Sequence, residues 1–228
     1  MQKHKTALVL SGGGMFGAYQ AGAWKVLSQE IEIDMVVGAS VGAINGWSIA
    51  GGCTADELIG NWRDPETGQA LKLFDSRPLR AMAERLHSRY TPRIPYGLVM
   101  LELASMKTRL VRHPEVGPEH IHAACAIPFF VPPVKIGGKR YVDGGVLAKL
   151  PVFGAVEMGA TRVIAIDVLP EFSKWRTYPF DIELTVLKPS MPLGGMRDLF
   201  YWKRDLAERW IQLGLRDAAA IARFRRSA

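Results

Sequence analysis

The stretch VVGASVGAIN, residues 36–45, runs an apolar segment straight into Gly38-Ala39-Ser40-Val41-Gly42 and then into further small residues. Few folds accommodate such a join. A serine can stand on a sharp turn between a strand and a helix only if the residues two before and two after it lack bulk, because the two backbones nearly touch there. The stretch therefore predicts a buried strand over 33–38, a turn at Ser40 and a small-residue helix to about Ala50. Either the turn is a routine connection, or it is built to push the Ser40 hydroxyl into a cleft.

The neighbouring segments extend this start. TALVL (6–10) reads as a buried strand, SGGGMFG as a loop and AYQAGAWKVLSQE (18–30) as a helix. Thr54 and Glu57 form a capping box ahead of TADELIGNWR. Strand, loop, helix, strand, turn, helix is the opening of a parallel α/β fold. Prolines break up 62–117, where RPLRAMAERLHSRY reads as a helix and YGLVMLELA as a strand; this region is open to a role as lid, membrane contact or partner surface. A short helix is expected over PEHIHAACA, a hairpin turning at Gly137-Gly138, a helix with Pro151 in its first turn, and a strand over 161–168. From Met196 to Arg226, Leu199, Trp202, Leu206, Trp210, Leu213, Ile221 and Phe224 keep a helical period, with Asp217 out of step. No linker divides the chain, so residues 1–228 are expected to form one domain, with 196–228 as its C-terminal amphipathic helix.

Composition narrows the partners. Hydrophobic residues make up 48%, as in core-forming chains, and 29 basic against 22 acidic residues leave +7. That charge favours anionic surfaces, but no nucleic-acid motif accompanies it, so contact with anionic membrane is expected and nucleic acid is not. Residues 196–228 carry net +4 beside their aromatic stripe; the helix is expected to be mostly core, with salt-sensitive membrane contact coming from the basic surface as a whole. Two cysteines cannot make a disulfide framework. The apolar run after the basic N-terminus stops after five residues, unlike a signal peptide, and no stretch approaches the roughly 18 apolar residues of a membrane span. A cytoplasmic protein, peripheral at membranes, is expected.

Two further clusters bear on chemistry. Gly12-Gly13-Gly14-Met15-Phe16-Gly17 follows the first strand and fits a dinucleotide fingerprint, but the end of the second strand carries Ser40 where an acid would be wanted. Its alternative use is a nest of bare N–H groups aimed at an anion, and beside a strand-end serine that anion would be an oxyanion. Asp143 lies in Tyr141-Val142-Asp143-Gly144-Gly145, where it could reach a serine hydroxyl or merely make a turn. All five histidines precede Asp143, so a Ser, Asp, His order is absent; a triad would need an earlier acid such as Asp64 or Asp75 with His120 or His122.

SGGGMFG, GASVG and DGG in this order, with AACAIPFFVPPV before the aspartate and GGVLAKLPVFGAVEMGATRVIAIDV around and after it, resemble the patatin-like phospholipases over residues 5–168. The resemblance implies a three-layer α/β/α fold with a mainly parallel sheet and a Ser–Asp dyad without histidine. It makes Ser40 the nucleophile and Asp143 its base. Gly13, Gly14 and Val41 would supply oxyanion N–H groups, and Gly12, Gly17, Gly38, Gly42, Gly144 and Gly145 would support the motifs. No metal or cofactor is implied, and the substrate would be a phospholipid or other lipid acyl ester. A carboxylesterase or thioesterase on soluble acyl substrates, and a non-catalytic nucleotide- or anion-binding protein, are the alternatives. Two positions depart from the family pattern: Phe16 stands where Lys or Arg is usual, and Lys149 where Asn is usual.

Overall fold

The computed structural model describes residues 4–71, 74–169 and 182–227, with side chains described through residue 220. The expected opening is present as β1 (Thr6–Leu10), α1 (Gly17–Glu30), β2 (Met35–Ala39) and α2 (Val41–Ala50). Next come α3 (Ala55–Arg63), α4 (Pro65–Ala70) and α5 (Ser76–Arg89), then β3 (Tyr96–Glu102), β4 (Lys107–Arg112) and α6 (Pro118–Ala124). The hairpin β5 (Val134–Ile136) and β6 (Lys139–Asp143) leads into α7 (Gly145–Ala148) and α8 (Val152–Glu157). β7 (Arg162–Ile166), β8 (Glu183–Leu187) and α9 (Arg204–Ser227) complete the chain. The capping box starts α3: Thr54 Oγ1 accepts the Glu57 N–H at 3.2 Å and Glu57 Oε2 accepts the Thr54 N–H at 2.9 Å. Pro65 occupies the first turn of α4, where it has no hydrogen bond to lose.

The strands form one sheet in the order β5-β6-β3-β2-β1-β7-β8, with β4 added on β3. β1, β2, β3, β7 and β8 are parallel, and β4, β5 and β6 are antiparallel. Alternation sorts the strand side chains onto two faces. Leu8, Leu10, Val36, Leu98, Ile164 and Ile166 face the larger core under α1, α2, α3 and α9. Ala7, Val9, Met35, Val37, Val163 and Ala165 face a smaller one under α8. The three layers are therefore unequal, and the sheet is mainly parallel as expected.

The C-terminal helix begins at Arg204, eight residues later than its period suggests. Residues 196–203 are instead drawn onto the glycine loop: the Leu199 carbonyl accepts the Met15 N–H at 2.9 Å, and the Leu199 side chain is buried. Trp210, Ile211 and Leu213 of α9 are buried, while the side chains of Ile221 and Phe224 lie outside the described residues. Glycines let α9 and α1 meet at backbone distance, since a Cβ on Gly22 would stand 2.1 Å from the Ile211 carbonyl oxygen. Asp217, out of step with the apolar stripe, accepts hydrogen bonds from the Tyr19 hydroxyl (3.0 Å) and the Ser190 hydroxyl (2.6 Å). The helix is thus core over its described side chains, tied down by a polar clasp. Among the described residues no helix is long and apolar enough to cross a membrane.

β4 and β8 have no counterpart in the expectations. KTRLVR in β4 carries three charges, Lys107, Arg109 and Arg112, on a half-exposed edge, and β8 is recognisable only by its parallel register with β7.

Candidate active site

Strand register alone brings Ser40 and Asp143 together. β4 pairs with one edge of β3 from Gly97 to Glu102, which leaves the other edge to be shared. β2 takes it up to the pair Ala39–Val99, and β6 takes it from the pair Asp143–Met100 onward. The two strands run in opposite directions and meet end to end, so the residue after Ala39 and the residue closing β6 abut. The chain then has to leave β6 across β3. A Cβ on Gly144 would lie 2.7 Å from the Val99 backbone, which is why the aspartate is followed by glycine.

The turn at Ser40 is equally constrained. A Cβ on Gly38 would stand 2.2 Å from the Gly42 carbonyl oxygen, and one on Gly42 would stand 2.4 Å from that of Leu10. The turn holds Ser40 at φ 52° and ψ −128°, a conformation costing a non-glycine residue about 1–3 kcal/mol. Strain of this size persists only where surrounding packing imposes it.

Asp143 is buried, and its Oδ1 accepts the Gly145 N–H at 2.7 Å. Burial pushes its carboxyl up to about 6, against the opposing pull of the Ser40 hydroxyl and the Gly145 N–H, both of which stabilise the carboxylate. Burial wins because the two hydrogen-bond donors do not replace the water the group has lost. The carboxylate is thus a stronger base than an exposed aspartate, yet still ionised at neutral pH. Among the described residues no histidine hydrogen-bonds to Ser40 or Asp143. His120 Nδ1 accepts the Gly117 N–H, and the His87 ring stacks on Trp47.

The glycine loop lies alongside. Its Gly12 N–H donates to the Lys149 carbonyl (2.9 Å) and its Met15 N–H to Leu199. The N–H groups of Gly13, Gly14 and Val41 donate to no acceptor among the described residues. A Cβ on Gly12 would lie 3.2 Å from the Ser40 Cβ, so the loop runs directly past the serine. Gly14 has φ +51°, and a Cβ there would meet the Leu199 carbonyl oxygen at 2.1 Å. Gly17 closes the loop against Trp62 and Val41. A narrow cavity opens over Ser40, walled by Gly14, Leu79, Ile127, Val131, Leu199 and Phe200.

The two departures from the family pattern have structural roles. Phe16 is buried edge-to-face on Trp210, with ring centroids 5.1 Å apart, so the position serves the α9 interface. Lys149 holds the loop through its carbonyl, while its ammonium reaches the Leu169 carbonyl and lies 3.8 Å from the buried Asp167. Phe200 had no signal of its own in the sequence, since a helical period explained its segment.

The family model of patatin-like phospholipases matches residues 8–98 and 116–156, and the chain belongs to that family. It is 27% identical over 180 residues to neuropathy target esterase sws of Drosophila melanogaster. It is 26% identical over 181 residues to patatin-like phospholipase domain-containing protein 7 of Rattus norvegicus. Each alignment covers 71% of this chain and 13% of the relative, so the chain spans about an eighth of their length. Two solved structures share the fold. VipD from Legionella pneumophila superposes with a TM-score of 0.53 at 10% identity, over 96% of this chain and 66% of that one. The type III effector ExoU does so with 0.51 at 12%, over 97% and 53%.

Proposed function

We propose that the chain is a lipid acyl hydrolase of phospholipase A type, working through a Ser40–Asp143 dyad. The observation that carries this reading is the end-to-end meeting of β2 and β6, which sets a strained serine against a buried, basic carboxylate beside bare N–H groups. Asp143 takes the hydroxyl proton as Ser40 Oγ bonds to the ester carbonyl carbon. The carbonyl oxygen becomes an oxyanion that accepts hydrogen bonds from Gly13, Gly14 and Val41. Collapse breaks the bond to the leaving alcohol, which recovers the proton from Asp143. Water, deprotonated by the same carboxylate, then releases the fatty acid and restores Ser40. Covalent labelling by a fluorophosphonate, mapped to Ser40 by peptide mass, tests the assignment; labelling elsewhere or none removes it. The narrowness of the cavity favours short soluble acyl esters as a second reading, and a hydrolysis profile across phospholipid vesicles, lysophospholipids and p-nitrophenyl esters separates the two.

The pH profile follows from Asp143. Only the ionised carboxylate accepts the proton, so kcat/KM is expected to rise through about pH 6 and level off above it. A profile centred near pH 4 would mean that the acting carboxylate is an exposed one; one centred near 7 that persists in the Asp143→Asn variant would point to histidine.

Gly14→Ala should lower kcat by about a hundredfold, because the added methyl cannot coexist with the Leu199 carbonyl and displaces an oxyanion donor. The measurement is kcat on a soluble ester, with near-UV circular dichroism confirming native packing. Undiminished turnover would take the loop out of the mechanism.

A further inference from the structure

We infer that the mouth of the Ser40 cavity is a membrane-docking face that seats the protein on a bilayer containing anionic phospholipid. The inference rests on the lipid-hydrolase reading and adds which surface meets the lipid. Among the described residues, eight large apolar side chains are half or more exposed; four of them stand on the segments that wall the cavity, and two more follow the Asp143 loop. Phe129, 99% exposed, lies between the wall residues Ile127 and Val131. Val146 and Leu147 follow directly on the Asp143 loop, in α7. Met196 and Tyr201 flank Leu199 and Phe200. Phe74, 75% exposed, donates its N–H to the Phe130 carbonyl and packs its ring on Phe130, whose own ring lies 5.8 Å from that of Phe200. Leaving these side chains in water is unfavourable unless something covers them.

Their arrangement selects a fluid partner. Four separate segments each offer one or two apolar side chains, and Phe74 and Phe129 sit at positive φ, where the backbone holds bulky residues only at a cost. A protein partner would be met by a continuous groove; single prongs spread around an opening suit insertion among acyl chains. Charge agrees. Residues 196–204 carry Arg197, Lys203 and Arg204 against Asp198, all three basic side chains are exposed, and the Lys203 ammonium lies over the Tyr201 ring, 5.3 Å from its centroid. Arg77, three residues after Phe74 in the chain, is also exposed, although it pairs with Asp75. An aromatic ring beside exposed cations is matched to the headgroup layer of an anionic membrane. Docking in this pose would point the cavity, and with it Ser40, at the lipid. α9 would face away into the core, so the membrane contact belongs to the site mouth and not to the amphipathic helix.

The test is co-sedimentation with vesicles of phosphatidylcholine and phosphatidylglycerol, run beside hydrolysis of p-nitrophenyl butyrate. Phe129→Asp combined with Leu147→Asp should weaken vesicle partitioning by about tenfold or more while soluble-ester turnover stays within about twofold. Met106→Asp, an exposed apolar residue off the cavity segments, should leave partitioning unchanged. Should the double variant misfold, Phe129→Ser alone gives the same reading, since this ring is almost wholly in solvent. Partitioning that is unchanged in the double variant, equally reduced by Met106→Asp, or absent in the wild type overturns the inference. In each of these cases retained butyrate hydrolysis leaves the hydrolase reading standing, whereas failure of hydrolysis and of fluorophosphonate labelling removes that reading by itself.

Discussion

Ser40→Ala is expected to lose at least about 10⁴-fold in turnover, because it deletes the only atom proposed to bond to the substrate. Its fold should survive, since the methyl group fits the space of the hydroxymethylene and the Ala43 N–H still finds the residue 40 carbonyl, at 2.8 Å in the wild type. The backbone strain should survive too, as alanine tolerates φ 52° no better than serine does. Ser40→Gly is equally inert but relaxes the turn, so it should be more stable than the alanine variant by about 1 kcal/mol. Calorimetry of the two inactive variants isolates the strain that the site stores. A folded alanine variant with more than a few per cent of wild-type activity would move the nucleophile elsewhere.

Asp143→Asn should cost about 10³–10⁴-fold in kcat, because a neutral amide cannot take the serine proton. The same change is expected to stabilise the fold at neutral pH. The sign comes from proton uptake: the carboxyl is raised from 3.8 unfolded to about 6 folded, so between these values the native state holds a proton that the unfolded state has released. Stability therefore falls as pH rises through this window, and above pH 6 the ionised buried group costs about 3 kcal/mol. The amide avoids that cost. Thermal melts should show Asp143→Asn above the wild type at pH 8 and close to it at pH 4. Substituting any one histidine should leave turnover within about tenfold, the range of indirect effects. If His120→Ala or His122→Ala abolishes activity, the base is a histidine and the dyad assignment fails.

Most of the fold was legible because short-range rules governed it. The apolar runs at 6–10 and 162–166 match parallel strands buried on both faces, the Thr54–Glu57 box starts its helix, and Gly137-Gly138 turns its hairpin. The glycines of GASVG and DGG could be read because each marks a place where a Cβ meets backbone, a constraint written into single residues. Other features escaped, α4 at 65–70 among them. β4 and β8 draw their order from pairing with β3 and β7, and edge strands need no strong apolar pattern of their own. Residues 196–203 keep a helical period yet are pulled from helix by the Met15 amide, a partner far away in the chain. The exposure of Phe74, Phe129, Leu147 and Tyr201 is invisible in sequence, because these are apolar letters that look like core.

By itself, then, the sequence determined the locally specified elements, which glycines must stay glycine and which serine and aspartate are candidates for chemistry, because all of these depend on local sterics and periodicity. Tertiary structure alone decided that β2 and β6 share one edge of β3. That register is set by long-range pairing, and it alone turns two distant residues into neighbours. It also raised the Asp143 carboxyl to about 6, since the loss of water around a carboxyl is a property of the packed fold and not of the residue.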